Sequence, residues 1–162
     1  MYDTVLCFLV RGDPAAEVLL GLKKRGFGEA KYGGIGGKVE PGETFAQATR
    51  REVAEEIGVA LTEADLQPAG RITFHFPARP QWSQVMHLFL LRRWRGEPQE
   101  GAEVRPEWFP VHGVPYERMW PDARHWLPRV LAGESVVQAF TYLPDCESLA
   151  GVGERNPGNR RN

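Results

Sequence analysis

Apolar and polar positions along the chain predict strands, then one well-marked helix, then strands again. Thr4 to Val10 is a nearly continuous apolar run, the pattern of a short buried strand. Arg11-Gly12-Asp13-Pro14 is a turn, and its Arg-Gly-Asp tripeptide is read as turn chemistry rather than an adhesion motif. Glu17 to Lys23 is a second strand and a hairpin partner for the first. In Arg71 to Phe76, Ile72, Phe74 and Phe76 share one face while Thr73 and His75 take the other, a strand with one buried face. Gln84 to Arg92, Trp108 to Val111 and Val136 to Leu143 complete the strands; Leu61 to Ala69 is a polar connection, and 77–83 and 97–103 are loops. Pro115 to Ala132 is helical with interruptions at Pro121 and Pro128, and Asp122 stands where it can cap the second piece.

The helix between these groups of strands carries its own start and stop signals. Thr44 reads as the N-cap, with Gln47 three residues on to complete a capping box, and Gly58 is placed to end the helix in a left-handed conformation. Ala46, Val53 and Ile57 form one apolar stripe, the expected buried face. Glu52, Glu55 and Glu56 share another face, because positions three and four apart are neighbours on a helix.

The composition is that of one ordinary globular domain of 162 residues, long enough to bury a core. Its net charge of −1 argues against broad attraction to nucleic-acid polymers or membranes. Two cysteines, Cys7 and Cys146, are too few for a disulfide framework and point to a reducing, cytoplasmic setting. No apolar stretch reaches membrane-spanning length, and the N-terminus does not read as a signal peptide. From Cys146 the chain turns to Gly, Pro, Asn and Arg, so residues 1–145 are expected to form the domain and 146–162 a flexible C-terminal tail.

Candidate chemistry centres on the acidic helix face. Like charges at this spacing cost a helix about 0.2–0.5 kcal/mol per pair. Converging carboxylate oxygens suit a hard divalent cation, Mg²⁺ or Mn²⁺. The preceding cluster Gly33-Gly34-Ile35-Gly36-Gly37 lets bare backbone approach a ligand. It is not a P-loop: counting back from Gly37-Lys38 puts Tyr32 at the first glycine position and Val39 at the Ser/Thr position. The four histidines lack metal-ligand spacing and read as structural.

Gly37, Glu43, Arg51, Glu52, Val53, Glu55, Glu56, Gly58 and Val59 fill every specified position of the Nudix box, so the chain resembles a Nudix hydrolase. Leu19 to Gly28, Gly36-Gly37-Lys38, Val104 to Phe109 and Met119 to Asp122 are further similar to the vertebrate MutT homologues, the oxidised-purine nucleoside triphosphate diphosphatases. The resemblance implies an α/β (α+β) fold with a mixed sheet sandwiched between helices. It implies metal-dependent cleavage of (oxidised) purine nucleoside triphosphates such as 8-oxo-dGTP to the monophosphate and pyrophosphate; the alternatives are a Nudix hydrolase of another nucleoside diphosphate derivative (a dinucleoside polyphosphate, a nucleotide sugar or a capped RNA) and a non-catalytic nucleotide-binding Nudix domain. A nucleoside triphosphate is then the expected partner, and a monomer is expected.

Carried over by position, the metal ligands are the Gly36 carbonyl, Glu52, Glu55, Glu56 and Glu103, with Glu52, Glu55 and Glu56 as the catalytic set. Lys23 and Lys38 match residues near the phosphates; Phe27, Phe74, Trp120 and Trp126 match walls of a base pocket; Asp122 matches a carboxylate that reads the base. Gly33 replaces a base-contacting asparagine and Ala123 a second aspartate, so altered or looser base selectivity is expected.

Overall fold

The computed structural model describes residues 1–151. Its central strand β1, Tyr2–Arg11, is buried on both sides. Val5, Cys7 and Leu9 enter one core with Val53 and Ile57. Phe8 and Val10 enter a second core with Trp126, Leu127 and Val130. Successive strand residues leave on opposite faces, so a strand between two packed layers is apolar at nearly every position. That explains the run without alternation in Thr4 to Val10.

β2, Glu17–Lys23, returns antiparallel to the end of β1, as the hairpin expectation required. β3, Tyr32–Gly33, pairs with β2, and β4, Ile35–Lys38, pairs antiparallel with Thr4 to Cys7 of β1. The glycine cluster thus lies largely in strand. A Cβ on Gly36 would collide with the Val5 carbonyl, so bare backbone is what lets β4 close on β1.

Helix α1 follows, Phe45–Ile57, then β5, Leu66–His75, β6, Gln84–Leu91, β7, Val104–Pro110, α2, Leu127–Leu131, and β8, Val136–Thr141. The sheet runs β3-β2-β1-β6-β5-β8, with β7 on the other side of β2. β1 with β6 and β5 with β8 are parallel, and the remaining pairs are antiparallel. α1 packs on one face, and α2 with its preceding turns packs on the other. This is the mixed sheet between helices that the family resemblance implied.

Both α1 caps are as expected: the Thr44 hydroxyl accepts from the Gln47 amide at 3.1 Å, the Gln47 side chain accepts from the Thr44 amide at 2.9 Å, and Gly58 takes φ 68°. The buried stripe is Ala48, Thr49, Val53 and Ile57; Ala46, expected inside, is only half-buried at the edge of the packed face.

Other departures have local causes. β5 begins at Leu66, inside the expected polar connection, because the Pro68–Gly70 breaker signal is a register-shifting bulge rather than a loop. β7 begins at Val104 despite Pro106, which is tolerated because, among the described residues, only one edge of that strand pairs. The 115–132 segment breaks into single turns and the short α2. The Asp122 side chain caps nothing there.

The expected tail does not start at Cys146. Cys146 is buried, Leu149 bridges Tyr142, and the Ala150 amide donates to the Thr141 carbonyl at 2.8 Å. The rest of the expected tail, 152–162, lies outside the described residues. No helix among the described residues is long and apolar enough to cross a membrane.

Candidate active site

Helix α1 sets its acidic face against the glycine strand β4. A Cβ on Gly37 would fall 2.6 Å from Glu52 Oε1, so only glycine leaves room for that carboxylate. The Gly36 amide donates to Glu56 Oε2 at 3.3 Å. Burial raises the pKa of Glu52, against the opposing pull of Arg51. Burial, then the neighbouring Glu52 charge, pushes Glu56 up to about 7. Two partly buried carboxylates beside exposed backbone carry negative charge that a cation would relieve.

Arg51 organises this face. Its Nε and Nη2 hold both Glu43 oxygens at 2.8 and 2.9 Å, Nη1 reaches Glu52 at 2.8 Å and Glu55 at 3.3 Å, and Nη2 donates to the Lys38 carbonyl at 3.0 Å. The bidentate pair with Arg51 and the Glu40 amide hold Glu43 down to about 2. Among the described residues, no three His, Cys, Asp or Glu side chains converge as a finished metal cage. The cause is visible in the ion pairs. Glu55 is turned to Arg51, and Glu103 is turned to Arg25 at 3.0 Å. The donor set nonetheless fits a hard cation: the Glu52 and Glu56 carboxylates line one cavity, and Gly37 makes room for Glu52.

A cavity of about 730 Å³ opens from this face, the size of a small-molecule site. Lys23, Gly36, Lys38, Glu52 and Glu56 line its polar end; the Lys38 ammonium sits 4.7 Å over the Tyr2 ring. The other end is aromatic. Phe27, 45% exposed, stacks on Trp120 at 5.2 Å and meets Trp82 edge-on at 4.7 Å. Gly26 and Gly28 flank Phe27 at φ 82° each, a conformation that gives the loop its bend. At the floor, Asp122 is 3% exposed, accepting from Trp126 Nε1 at 2.8 Å on one oxygen and from the Tyr142 hydroxyl on the other.

One cavity therefore gathers Lys23, Phe27, Gly33, Gly36, Lys38, Glu52, Glu56, Phe74, Trp120, Asp122 and Trp126. Glu55 and Glu103 stand outside its wall, although Glu103 is close enough to help raise the pKa of Glu56. Trp126 is 2% exposed, as much a core residue packed edge-on to Phe8 as a pocket wall. Sequence reasoning misses Tyr2, Phe76, Trp82 and Tyr142 as pocket residues. The local pattern marks Phe76 as buried and Tyr142 as strand, but their convergence depends on the β5–β8 pairing, which no local pattern encodes. Trp82 falls in a stretch that reads only as loop.

Fold and site together define a class. It is an α+β protein whose acidic helix face and glycine strand form one end of a cleft and whose aromatic rings form the other. The NUDIX domain model matches residues 2–130. The oxidized purine nucleoside triphosphate hydrolase of Danio rerio is 41% identical over 142 residues, covering 88% of this chain and 89% of that protein. Its namesake in Mus musculus is 41% identical over 126 residues, covering 78% and 79%. The crystal structure of a MutT protein from Bacillus halodurans superimposes with a TM-score of 0.75 at 22% identity, covering 93% of this chain and 95% of that one, a likeness of fold. The chain belongs to the Nudix family of hydrolases. Enzymes of this family generally need divalent metal ions.

Proposed function

We propose that this chain hydrolyses oxidised purine nucleoside triphosphates such as 8-oxo-dGTP to the monophosphate and pyrophosphate, clearing damaged nucleotides from the precursor pool. The observation that carries it is the bipolar cavity. Carboxylates and lysines lie at one end, and stacked aromatics around a buried carboxylate lie at the other. The two vertebrate relatives are named for this class of substrate.

Mg²⁺, with Mn²⁺ as a substitute, is the proposed cofactor, held by Glu52, Glu56 and the Gly36 carbonyl, with Glu55 and Glu103 able to join by leaving their arginine partners. Such a cation supplies charge neutralisation at the phosphates and activation of water. The chain's own groups do the rest. Lys23 and Lys38 face the polar end and pair with phosphate oxygens. Glu55, Glu56 and Glu103 are the carboxylates that can take the proton of the attacking water. Phe27, Trp120 and Trp82 give the base stacking area and exclude water. We further take the chain to act as a cytoplasmic monomer on free nucleotides. Its net charge of −1 supports a small substrate over a nucleic-acid polymer.

The test is a rate comparison of 8-oxo-dGTP with dGTP, each with Mg²⁺ and with Mn²⁺, resolving products by chromatography. Metal-dependent release of pyrophosphate with preference for the oxidised base is expected. No turnover of either, or equal rates, overturns the assignment.

A further inference from the structure

Tyr142 occupies a position that the proposed chemistry does not yet use. Its amide donates to the His75 carbonyl at 2.9 Å, which pins the residue beside the end of β5. Its ring lies flat on Phe76, centroids 4.8 Å apart at 10°, and meets Trp120 edge-on at 5.6 Å. The side chain is therefore built into the aromatic wall, and its hydroxyl has one placement, against Oδ1 of Asp122. On the other side Trp126 Nε1 donates to Oδ2 at 2.8 Å.

An indole N–H only donates, so Oδ2 must accept. An ionised carboxylate accepts on both oxygens and still has lone pairs to offer, whereas a protonated one would spend a hydrogen on one of them. Burial is the largest influence on Asp122 and raises its pKa, while the Tyr142 and Trp126 donors work against that rise and favour the ionised form. No other carboxylate shares this end of the cavity among the described residues. Glu52 and Glu56 line the opposite end, Ala123 contributes a methyl, and Gly33 contributes no side chain. The base is thus met by a single acid, one oxygen of which must accept from Trp126 while the other meets a hydroxyl able to donate to it.

We propose that Tyr142 is a positioning residue for base selection. By holding Asp122 as an acceptor-only group, it makes the pocket choose purines that present adjacent N–H donors, the guanine type, over purines that present a bare ring nitrogen, the adenine type. The inference rests on the reading of this cavity as a purine nucleotide site. A site built on hydrogen bonds rejects a mismatched edge strongly, because the mismatch leaves buried polar groups unpaired.

The experiment compares kcat and KM for 8-oxo-dGTP and 8-oxo-dATP in the wild type, Tyr142→Phe and Asp122→Asn. Tyr142→Phe keeps both ring contacts and removes one donor. The preference for the guanine substrate is expected to fall by about tenfold or more, mainly through a lower KM for 8-oxo-dATP. Asp122→Asn presents an amide donor, and the preference is expected to move further toward the adenine substrate. A Tyr142→Phe ratio equal to wild type, or a common loss of kcat on both substrates, overturns the inference and leaves the proposed function standing. So does a wild type that hydrolyses both substrates equally. A wild type that hydrolyses neither overturns the proposed function and the inference with it.

Discussion

Arg51 grips Glu43 through a two-pronged ion pair, Nε to Oε2 at 2.8 Å and Nη2 to Oε1 at 2.9 Å. The same guanidinium touches the Lys38 carbonyl at 3.0 Å and Glu52 at 2.8 Å. One side chain thereby ties the turn before α1, the end of β4 and a proposed metal ligand into a single unit. Lysine offers a point charge in place of a planar fork and cannot serve all these partners. Arg51→Lys is expected to fold, with kcat/KM lower by roughly 10- to 100-fold because Glu52 loses its orientation. Steady-state kinetics beside circular dichroism check this; unchanged kcat/KM would show that Glu52 is oriented by Gly37 alone.

The same pair sets an acid limb of stability. The bond from Arg51 and the Glu40 amide hold Glu43 down to about 2, against an ordinary value of 4.5. A carboxyl whose folded pKa is depressed contributes stability above its unfolded pKa and loses it as pH falls toward the folded one. The Tm of the wild type is expected to drop between about pH 4.5 and 2, and that of Glu43→Gln to drop less over the same window. Thermal unfolding across pH, with parallel slopes as the contrary result, decides it.

Glu56 has the opposite sign. Burial and the Glu52 charge push it up to about 7, so its ionisation opposes folding as pH rises from 4.5 to about 7. In chelating buffer at pH 8, Glu56→Gln is expected to be more stable than wild type, by up to about 3 kcal/mol, with the gap closing below about pH 4.5. With metal and substrate its turnover is expected to fall by about 10²-fold or more. A variant that gains no stability in chelator would place Glu56 in a better-solvated setting; one that keeps near-wild-type turnover would remove it from the catalytic set.

The polar half of the site was legible in the sequence because its determinants are local. Capping residues, the i, i+3, i+4 spacing of Glu52, Glu55 and Glu56, and Gly58 all act within a few turns of one helix. β1, β2 and β6 were legible because buried strands declare themselves by apolar runs. The aromatic half was legible only in some of its residues. Phe27, Trp82, Phe76 and Tyr142 come from separate segments and meet through sheet order. Asp122 read equally well as a cap, and only the fold shows its two oxygens engaged by Tyr142 and Trp126. The start of β5 was hidden because Pro68 and Gly70 signal a loop and a bulge alike.

Phe27 separates binding from stability. Its ring is 45% exposed and its aromatic contacts are with other rings of the pocket, Phe76, Trp82 and Trp120, so removing it costs less stability than removing a fully buried ring. Stacking on a base is worth about 1–3 kcal/mol. Phe27→Ala is expected to raise KM for 8-oxo-dGTP by roughly 5- to 100-fold, with Tm nearly unchanged. A large fall in Tm would mean that the loop from Gly26 to Gly28 supports the core rather than the ligand.

Two glycines of one cluster should respond oppositely to a side chain. A Cβ on Gly33 meets nothing within 4 Å, and the residue lines the cavity. A Cβ on Gly36 drives into the Val5 carbonyl, where β4 pairs with β1. Gly36→Ala must push β4 away from β1 at the centre of the sheet, at an expected cost of about 2–4 kcal/mol. Gly33→Asn is expected to change stability by no more than about 0.5 kcal/mol, while adding a hydrogen-bonding group to the pocket and shifting the ratio of rates on 8-oxo-dGTP and dGTP. Denaturant titrations of both variants, with substrate ratios for Gly33→Asn, test the division. A destabilised Gly33→Asn, or one with the wild-type ratio, would mean that the open space beside Gly33 is not where the base lies.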